Sequence, residues 1–237
     1  MGKIFCFRHA QASYLTDNYD QLSMVGEEQS RKLGKYLVKN EIRFDKAFVG
    51  PLARQRHTFE LVQASYLDKG HEFPAPVFME ELREHQGPQA LRKALPNLRK
   101  SITQFQKWHE EMEVDPSLKR KNSLLAFQYF INEWVDGKIH VPDIEPWMDF
   151  RSKVGKGLNN ILSNLMRGEN VAIFTSGGTI SAIAGEVLRL QDQRQIAALN
   201  FNVRNASFTT FLYSGEKLSL LSFNEVPHLQ EEMITFV

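Results

Sequence analysis

The sequence predicts an α/β protein: a three-layer α/β/α sandwich with a mostly parallel sheet and one long helical insertion. Three observations point there. Short apolar runs of strand length alternate with longer segments whose apolar residues recur at helical spacing. The runs are nearly continuous rather than alternating, as strands buried on both faces require. The rhythm then breaks between about residues 86 and 146, where the text becomes helical, aromatic and basic in patches. Strands alternating with helices close into a parallel sheet with helices on both faces.

The elements follow in order. Ile4 to Phe7 reads as a short buried strand. Leu22 to Asn40 reads as a helix, with Ser23 as N-cap and Gln29, Leu33, Tyr36 and Leu37 at helical spacing. Phe44 to Val49 is a second strand. Pro51 opens the next helix, a favoured place for proline, and that helix runs to about Asp68 with Phe59, Val62 and Tyr66 on one side. Val77 to Leu82 reads as a third strand. The insertion from Gln86 to about Pro146 is expected to hold two or three helices. Phe150 to Met166 is a helix whose Phe150, Val154, Leu158, Ile161 and Leu165 form one buried face. Val171 to Thr175 is the next strand, and Thr179 to Leu190 the helix after it. "ASFTTFLYSGEKLSLLSF" alternates on both sides of Gly215 and reads as a hairpin. No internal repeat or low-complexity linker interrupts this, so the expected organisation is one domain, 1–237, with a helical cap at about 86–146.

Composition narrows the function classes. Lys and Arg total 29 against 28 Asp and Glu, so the global charge gives no sign of a nucleic-acid or membrane partner. A single cysteine, Cys6, excludes an intramolecular disulfide and thiolate zinc clusters, and it suits a reducing compartment. No apolar run approaches the ~20 residues of a membrane span. "MGKIFCFRHA" enters a strand directly, without the pattern of a secretory signal, and the expected location is cytoplasmic.

Ligands of such folds sit beyond the carboxyl ends of the strands. Those ends are chemically loaded here: Arg8 and His9 after the first strand, Pro51 to Arg54 after the second, Glu84 after the third, and Ser176, Gly177 and Gly178 after a later one. Arg8 and His9 alone are compatible with a solvated strand end. Arg54 adds a second guanidinium at a helix start, where N–H groups and the dipole already favour an anion. Two arginines and a helix N-terminus suit an oxyanion, most simply a phosphoryl group. His9 beside them is a candidate nucleophile, base or donor, and Glu84 a candidate general acid.

These residues resemble the histidine phosphatase superfamily, the phosphoglycerate-mutase-like proteins. "FRHAQAS" resembles its Arg-His-Gly signature, "LSMVGEEQ" its Leu-Ser/Thr-x-x-Gly-x-x-Gln helix start, and "GPLARQRHT" its Ser-Pro-Leu-x-Arg-Ala-x-x-Thr segment. "ELREHQG" is similar to the Leu-x-Glu segment, and "NVAIFTSGGTI" to the strand that ends in Ser-His-Gly-Gly. "NASFTTF" and "NEVPHL" resemble the closing hairpin. The resemblance implies a phosphomonoesterase working in two steps, with His9 carrying the phosphoryl group and Arg8, Arg54, Ser176 and Gly177 binding it. Glu84 would act as acid and then base. It implies no metal and no other cofactor, since the arginines supply the positive charge. The partner would be a phosphorylated small molecule or a phosphoprotein.

The sequence departs from the pattern in places. Ala10 stands for the signature glycine, which a backbone away from positive φ accommodates. Gly50 stands for serine. Gln55 and Phe59 stand for alanines, a difference expected to concern packing. Ser176 stands where the family has its second histidine, and a serine donates one neutral hydrogen bond and carries no charge. Losing a preorganised donor costs on the order of 10²–10³ in rate. His85, His57 and His140 are the candidates to restore a charge.

Three alternatives remain at this stage. The pocket binds a phospho-ligand without turnover; the chain is a phosphomutase; or Ser176 is a nucleophile with Asp192 and His228. Against the last, Phe174 occupies a position that a Gly-x-Ser-x-Gly elbow gives to glycine. The insertion is expected to roof the pocket, with Phe127, Phe130 and Trp134 forming its own core. The basic run Lys119, Arg120 and Lys121 is read as a solvated face.

Overall fold

The computed structural model describes residues 1–13, 20–215 and 217–236. Its centre is a six-stranded mixed sheet in the order β3-β2-β4-β1-β5-β6. The strands are β1 (Gly2–Arg8), β2 (Lys46–Val49), β3 (Pro76–Phe78), β4 (Asn170–Thr175), β5 (Phe208–Ser214) and β6 (Lys217–Glu225). The β1–β4, β4–β2 and β2–β3 pairs are parallel; β1–β5 and β5–β6 are antiparallel. The α/β class with a mostly parallel sheet is therefore as expected.

The sheet's alternation builds the layers, because successive side chains of a strand point to opposite faces. Phe5 and Phe7 of β1, Ala47 and Val49 of β2, and Ala172 and Phe174 of β4 share one face. There they meet Leu33 and Leu37 of α1 (Met24–Lys39) and Phe59, Val62 and Tyr66 of α2 (Ala53–Leu67). Phe7 and Phe174 stack with ring centroids 4.8 Å apart, and Phe59 meets Phe174 edge-on at 5.4 Å. Truncating Phe174 to alanine would cost ~3–5 kcal/mol. Ile4, Cys6, Phe48, Val171 and Ile173 face the other way, toward α6 (Trp147–Ser163), α7 (Gly177–Val187) and α8 (Gln193–Asn202).

The insertion forms α3 (Gly87–Ser101), α4 (Thr103–Val114) and α5 (Lys119–Val135). Phe130 and Trp134 are buried in the same core as α6, and Phe127 meets Phe201 of α8 edge-on, so these aromatics join the main core instead of forming a separate one within the insertion. Lys119, Arg120 and Lys121 are exposed. The connection from α5 to α8 is tied by Arg194, which bonds both Glu133 and Asp136.

Several expected elements differ. The third strand is only Pro76–Phe78, on the sheet edge, and the rest of the expected run turns into a 3-10 helix over Glu80–Leu82. Pro51 lies one residue before the N-cap Leu52 rather than inside α2. Helix α8 was not expected; its signal is Asp192, whose carboxylate caps it by accepting from Arg194 N–H at 2.8 Å. The hairpin turns at Gly215 with φ of +60°, the left-handed region that favours glycine, while its neighbour Glu216 lies outside the described residues. No helix among the described residues is long and apolar enough to cross a membrane.

Candidate active site

Four chain segments converge at the carboxyl end of the parallel strands. The β4 strand sits between β2 and β1, although the chain visits β2 and β3 first. This reversal is a topological switch point, where open α/β sheets bind ligands.

His9 follows β1 directly. Its N–H donates to Thr175 O at 2.8 Å, and its carbonyl accepts from Ala206 N–H at 3.2 Å. The backbone is thus clamped between β4 and the loop that enters β5. Ala10 is fully buried, is absent from the positive-φ residues, and donates its N–H to Thr58 Oγ1 at 3.1 Å. A methyl group fits because no left-handed conformation is needed there.

The His9 ring is buried, and both nitrogens are engaged. Nδ1 lies 2.8 Å from Ala10 O, and Arg54 Nε–H donates to Nε2 at 3.1 Å. A carbonyl can only accept, so Nδ1 carries the proton and Nε2 offers its lone pair. Burial, then the Arg54 charge, then the Arg8 charge hold the imidazole well below its ordinary pKa of 6.5; the bond to Ala10 O opposes them. The ring therefore stays neutral, the form in which a histidine is a nucleophile.

Arg54 is buried at the start of α2. Its Nη1 donates to Asp20 Oδ1 at 2.8 Å. The same carboxylate accepts from Ala53 N–H at 2.8 Å and Arg54 N–H at 3.4 Å. Asp20 thus caps α2, where the sequence led us to expect room for a phosphoryl group. Arg8, half-buried, donates from Nη1 to Val203 O just after α8, and its Nε would lie 3.5 Å from a Cβ built on Gly177.

Glu84 lies on the loop after the 3-10 helix. That loop is pinned to β4 and α7: Thr175 Oγ1 donates to Leu82 O at 2.7 Å and Thr179 Oγ1 to Arg83 O at 3.3 Å. The carboxylate accepts from Gly178 N–H at 3.0 Å and from His85 N–H at 2.9 Å. Glu84 therefore occupies the N-terminus of α7. A Cβ on Gly178 would lie 2.1 Å from Glu84 Oε1 and 2.4 Å from His85 Cδ2, so only glycine lets both side chains lie there.

Among the three histidines considered as replacements, only His85 reaches this constellation. It is buried, its Nδ1 accepts from Gly87 N–H at 3.0 Å, and its Nε2 lies 3.6 Å from Glu84 Oε1 and 3.1 Å from the Asn200 amide. Trp134, Trp147 and Phe150 surround the ring. His57 is half-buried on α2, and His140 is exposed on the connection after α5.

Ser176 is the N-cap residue of α7 and is fully buried, yet its side chain makes no cap bond. Its Oγ instead accepts from Gln55 Nε2 at 2.8 Å. Asp192 is engaged in capping α8, and His228 lies against Phe208 and Tyr36, so the three residues of a serine-nucleophile triad are not joined. Asp20, Gln55 and Asn200 were missed as site residues by sequence reasoning, whereas His85 had been considered as a replacement cation. Of the three missed, only Gln55 had a signal, as the neighbour of Arg54.

The branch 1 model of the histidine phosphatase superfamily matches residues 120–226, from α5 through the hairpin. No curated protein gives a significant match to the sequence. Solved structures share the fold. Phosphoglycerate mutase from Bacillus anthracis is 17% identical with a TM-score of 0.65, covering 96% of this chain and 94% of its own. Alpha-ribazole phosphatase from Shigella flexneri is 16% identical with a TM-score of 0.62, covering 94% and 96%. A phosphoserine phosphatase variant from Entamoeba histolytica, solved with phosphoserine, is 17% identical with a TM-score of 0.61, covering 97% and 100%. Matched segment and shared fold agree: over residues 120–226 the chain is similar to the histidine phosphatase superfamily, branch 1, and its fold is that of the phosphoglycerate mutase structure.

Proposed function

We propose that this protein is a phosphomonoesterase that works through a phosphohistidine at His9. The observation that carries the reading is the neutral imidazole whose Nε2 lone pair faces a guanidinium, Arg54 Nε at 3.1 Å. A phosphoryl group taking the place of that contact would lie between nucleophile and cation. Nε2 attacks phosphorus and the bond to the leaving oxygen breaks. Arg8 and Arg54 offset the charge on the phosphoryl oxygens, with Ser176 and Gly177 completing the cradle. Glu84 protonates the leaving oxygen. Glu84 then takes a proton from water as that water attacks phosphorus, the N–P bond breaks, and phosphate leaves with His9 restored.

The substrate class is a phosphorylated small molecule. The solved relatives from Entamoeba histolytica carry phosphoserine and 3-phosphoglyceric acid, which supports that class without naming this chain's substrate. We read the chain as one domain in which α3–α5 form the cap of the pocket. The contact of Trp134 on α5 with the His85 ring, 5.9 Å between centroids, supports this.

A second reading keeps the binding and drops the turnover. It is favoured by Ser176, a neutral group in the place where the family resemblance leads one to expect a histidine. One experiment separates them: phosphate release across sugar phosphates, nucleotides and phosphopeptides, with wild type and His9→Ala. Release by wild type that His9→Ala abolishes establishes the phosphatase. Binding of phospho-ligands with no release by wild type establishes the binding protein.

A further inference from the structure

We infer that Gln55 is a positioning residue that turns the Ser176 hydroxyl into a hydrogen-bond donor for a bound phosphoryl oxygen. The inference rests on the phosphate-pocket reading and deepens it. Gln55 follows Arg54 on α2 and is fully buried. Its Oε1 accepts from Leu52 N–H at 3.0 Å, and its Nε2 donates to Leu82 O at 3.2 Å and Ser176 Oγ at 2.8 Å. A backbone donor on one side and a backbone carbonyl on the other leave one orientation for the amide. Ser176 must therefore accept from Gln55, and its own proton must go elsewhere.

That proton has no acceptor among the described residues. The neighbouring hydroxyls differ: Thr175, Thr179 and Ser181 donate to Leu82 O, Arg83 O and Gly177 O. Leaving a buried donor unused is costly. Ser176 ends β4 beside the His9 end of β1, where His9 N–H is bonded to Thr175 O. Adjacent strands lie ~4.8 Å apart, so a phosphoryl group on His9 brings an acceptor oxygen to this hydroxyl.

Gly50 belongs to the same arrangement. A Cβ there would lie 2.2 Å from Gln55 Oε1 and 2.7 Å from its Cδ. Three departures from the family pattern, in three separate segments, thus meet at one carboxamide. Gln55, expected to be a packing difference, acts here as a hydrogen-bonding one. Ser176→His made alone would drive an imidazole into that carboxamide, so it cannot report on the serine by itself.

The test is a double-mutant cycle on the full chain, with Ser176→Ala, Gln55→Met and the pair. Turnover is read with p-nitrophenyl phosphate, and binding with inorganic phosphate. Ser176→Ala is expected to lower kcat on the order of 10²-fold and to weaken phosphate binding. Gln55→Met should lower both about tenfold. The double variant should be no worse than Ser176→Ala, because Gln55 acts through the hydroxyl. Effects that multiply, or a Ser176→Ala protein that binds and turns over like wild type, overturn the inference. Ser176→Ala removes one buried oxygen and carries the test alone should Gln55→Met not fold. If wild type binds phosphate without turnover and Ser176→Ala weakens that binding, the phosphatase reading fails and this inference stands. If wild type neither binds nor turns over, both fail.

Discussion

Two helices, α2 and α7, begin at the same end of the sheet, and each N-terminus is bonded to a carboxylate of the protein. Asp20 takes the N–H groups of Ala53 and Arg54; Glu84 takes the N–H of Gly178. The two carboxylates are held differently. Glu84 is 16% exposed, on a loop pinned by Thr175 and Thr179, with two backbone N–H groups on its oxygens. Asp20 is 37% exposed. One is a fixed part of the wall and the other a solvent-facing cap. The comparison teaches that a helix N-terminus beside the proposed phosphate site need not hold the phosphate. Here the helix ends hold acids, and in the proposed mechanism it is the side chains of Arg8, Arg54 and Ser176 that meet the anion.

The comparison breaks most decisively at Glu84. Glu84→Gln keeps the shape and loses the proton, so kcat for phosphate release should fall ~10²–10⁴-fold with little change in Tm. An unchanged rate would make Glu84 only a helix cap, the same kind of group as Asp20. Gly178→Ala tests the fixed geometry. Its Cβ must displace Glu84 Oε1 or His85, so stability should drop by ~1–3 kcal/mol and activity by at least about tenfold. A variant as stable and active as wild type would mean that this wall yields easily.

Asp20→Asn should do less. The amide still accepts from α2, so thermal stability should change by less than ~1 kcal/mol. Removing the negative charge beside Arg54 should lower KM for a phosphomonoester a few-fold. A rise in KM would instead make Asp20 part of the phosphate-binding machinery. The smallest effect is on His9 itself. Its imidazole is held below the ordinary value of 6.5, so ¹⁵N NMR should find neutral Nδ1–H histidine at pH 6. A titration near 6.5 in wild type would show that neither burial nor the arginines govern this ring.

Much of this was legible beforehand, for identifiable reasons. Ile4 to Phe7 read correctly as a buried strand because an unbroken apolar run of that length fits a strand covered on both faces. Ser23 read correctly as a cap because the bond it makes, accepting from Gly26 N–H at 3.0 Å, lies within one turn. The candidate residues His9, Arg54, Glu84 and Ser176 come together, linked through contacts with Gln55, Asp20 and Gly178. The edge strand β3 was drawn too long: Glu80–Leu82 turns into a 3-10 helix that packs on α6, a contact that nothing nearby in the chain reveals. Gln55 was misjudged because nothing near it in the chain reveals a hydroxyl 121 residues away.

Local order and chemistry type were thus determined by the sequence alone: which runs are strands, where helices begin, and which strand ends carry arginine, histidine and glutamate. These follow from periodicity, capping and side-chain chemistry, which act over a few residues. Only the tertiary structure decided which nitrogen of His9 carries the lone pair, that Asp20 and Glu84 fill the helix N-termini, and that Gly50, Gln55 and Ser176 form one unit. Those are hydrogen bonds between segments far apart in the chain. Their partners are chosen by the packing of the sheet and its helices, which brings buried donors and acceptors within reach and makes leaving them unpaired costly.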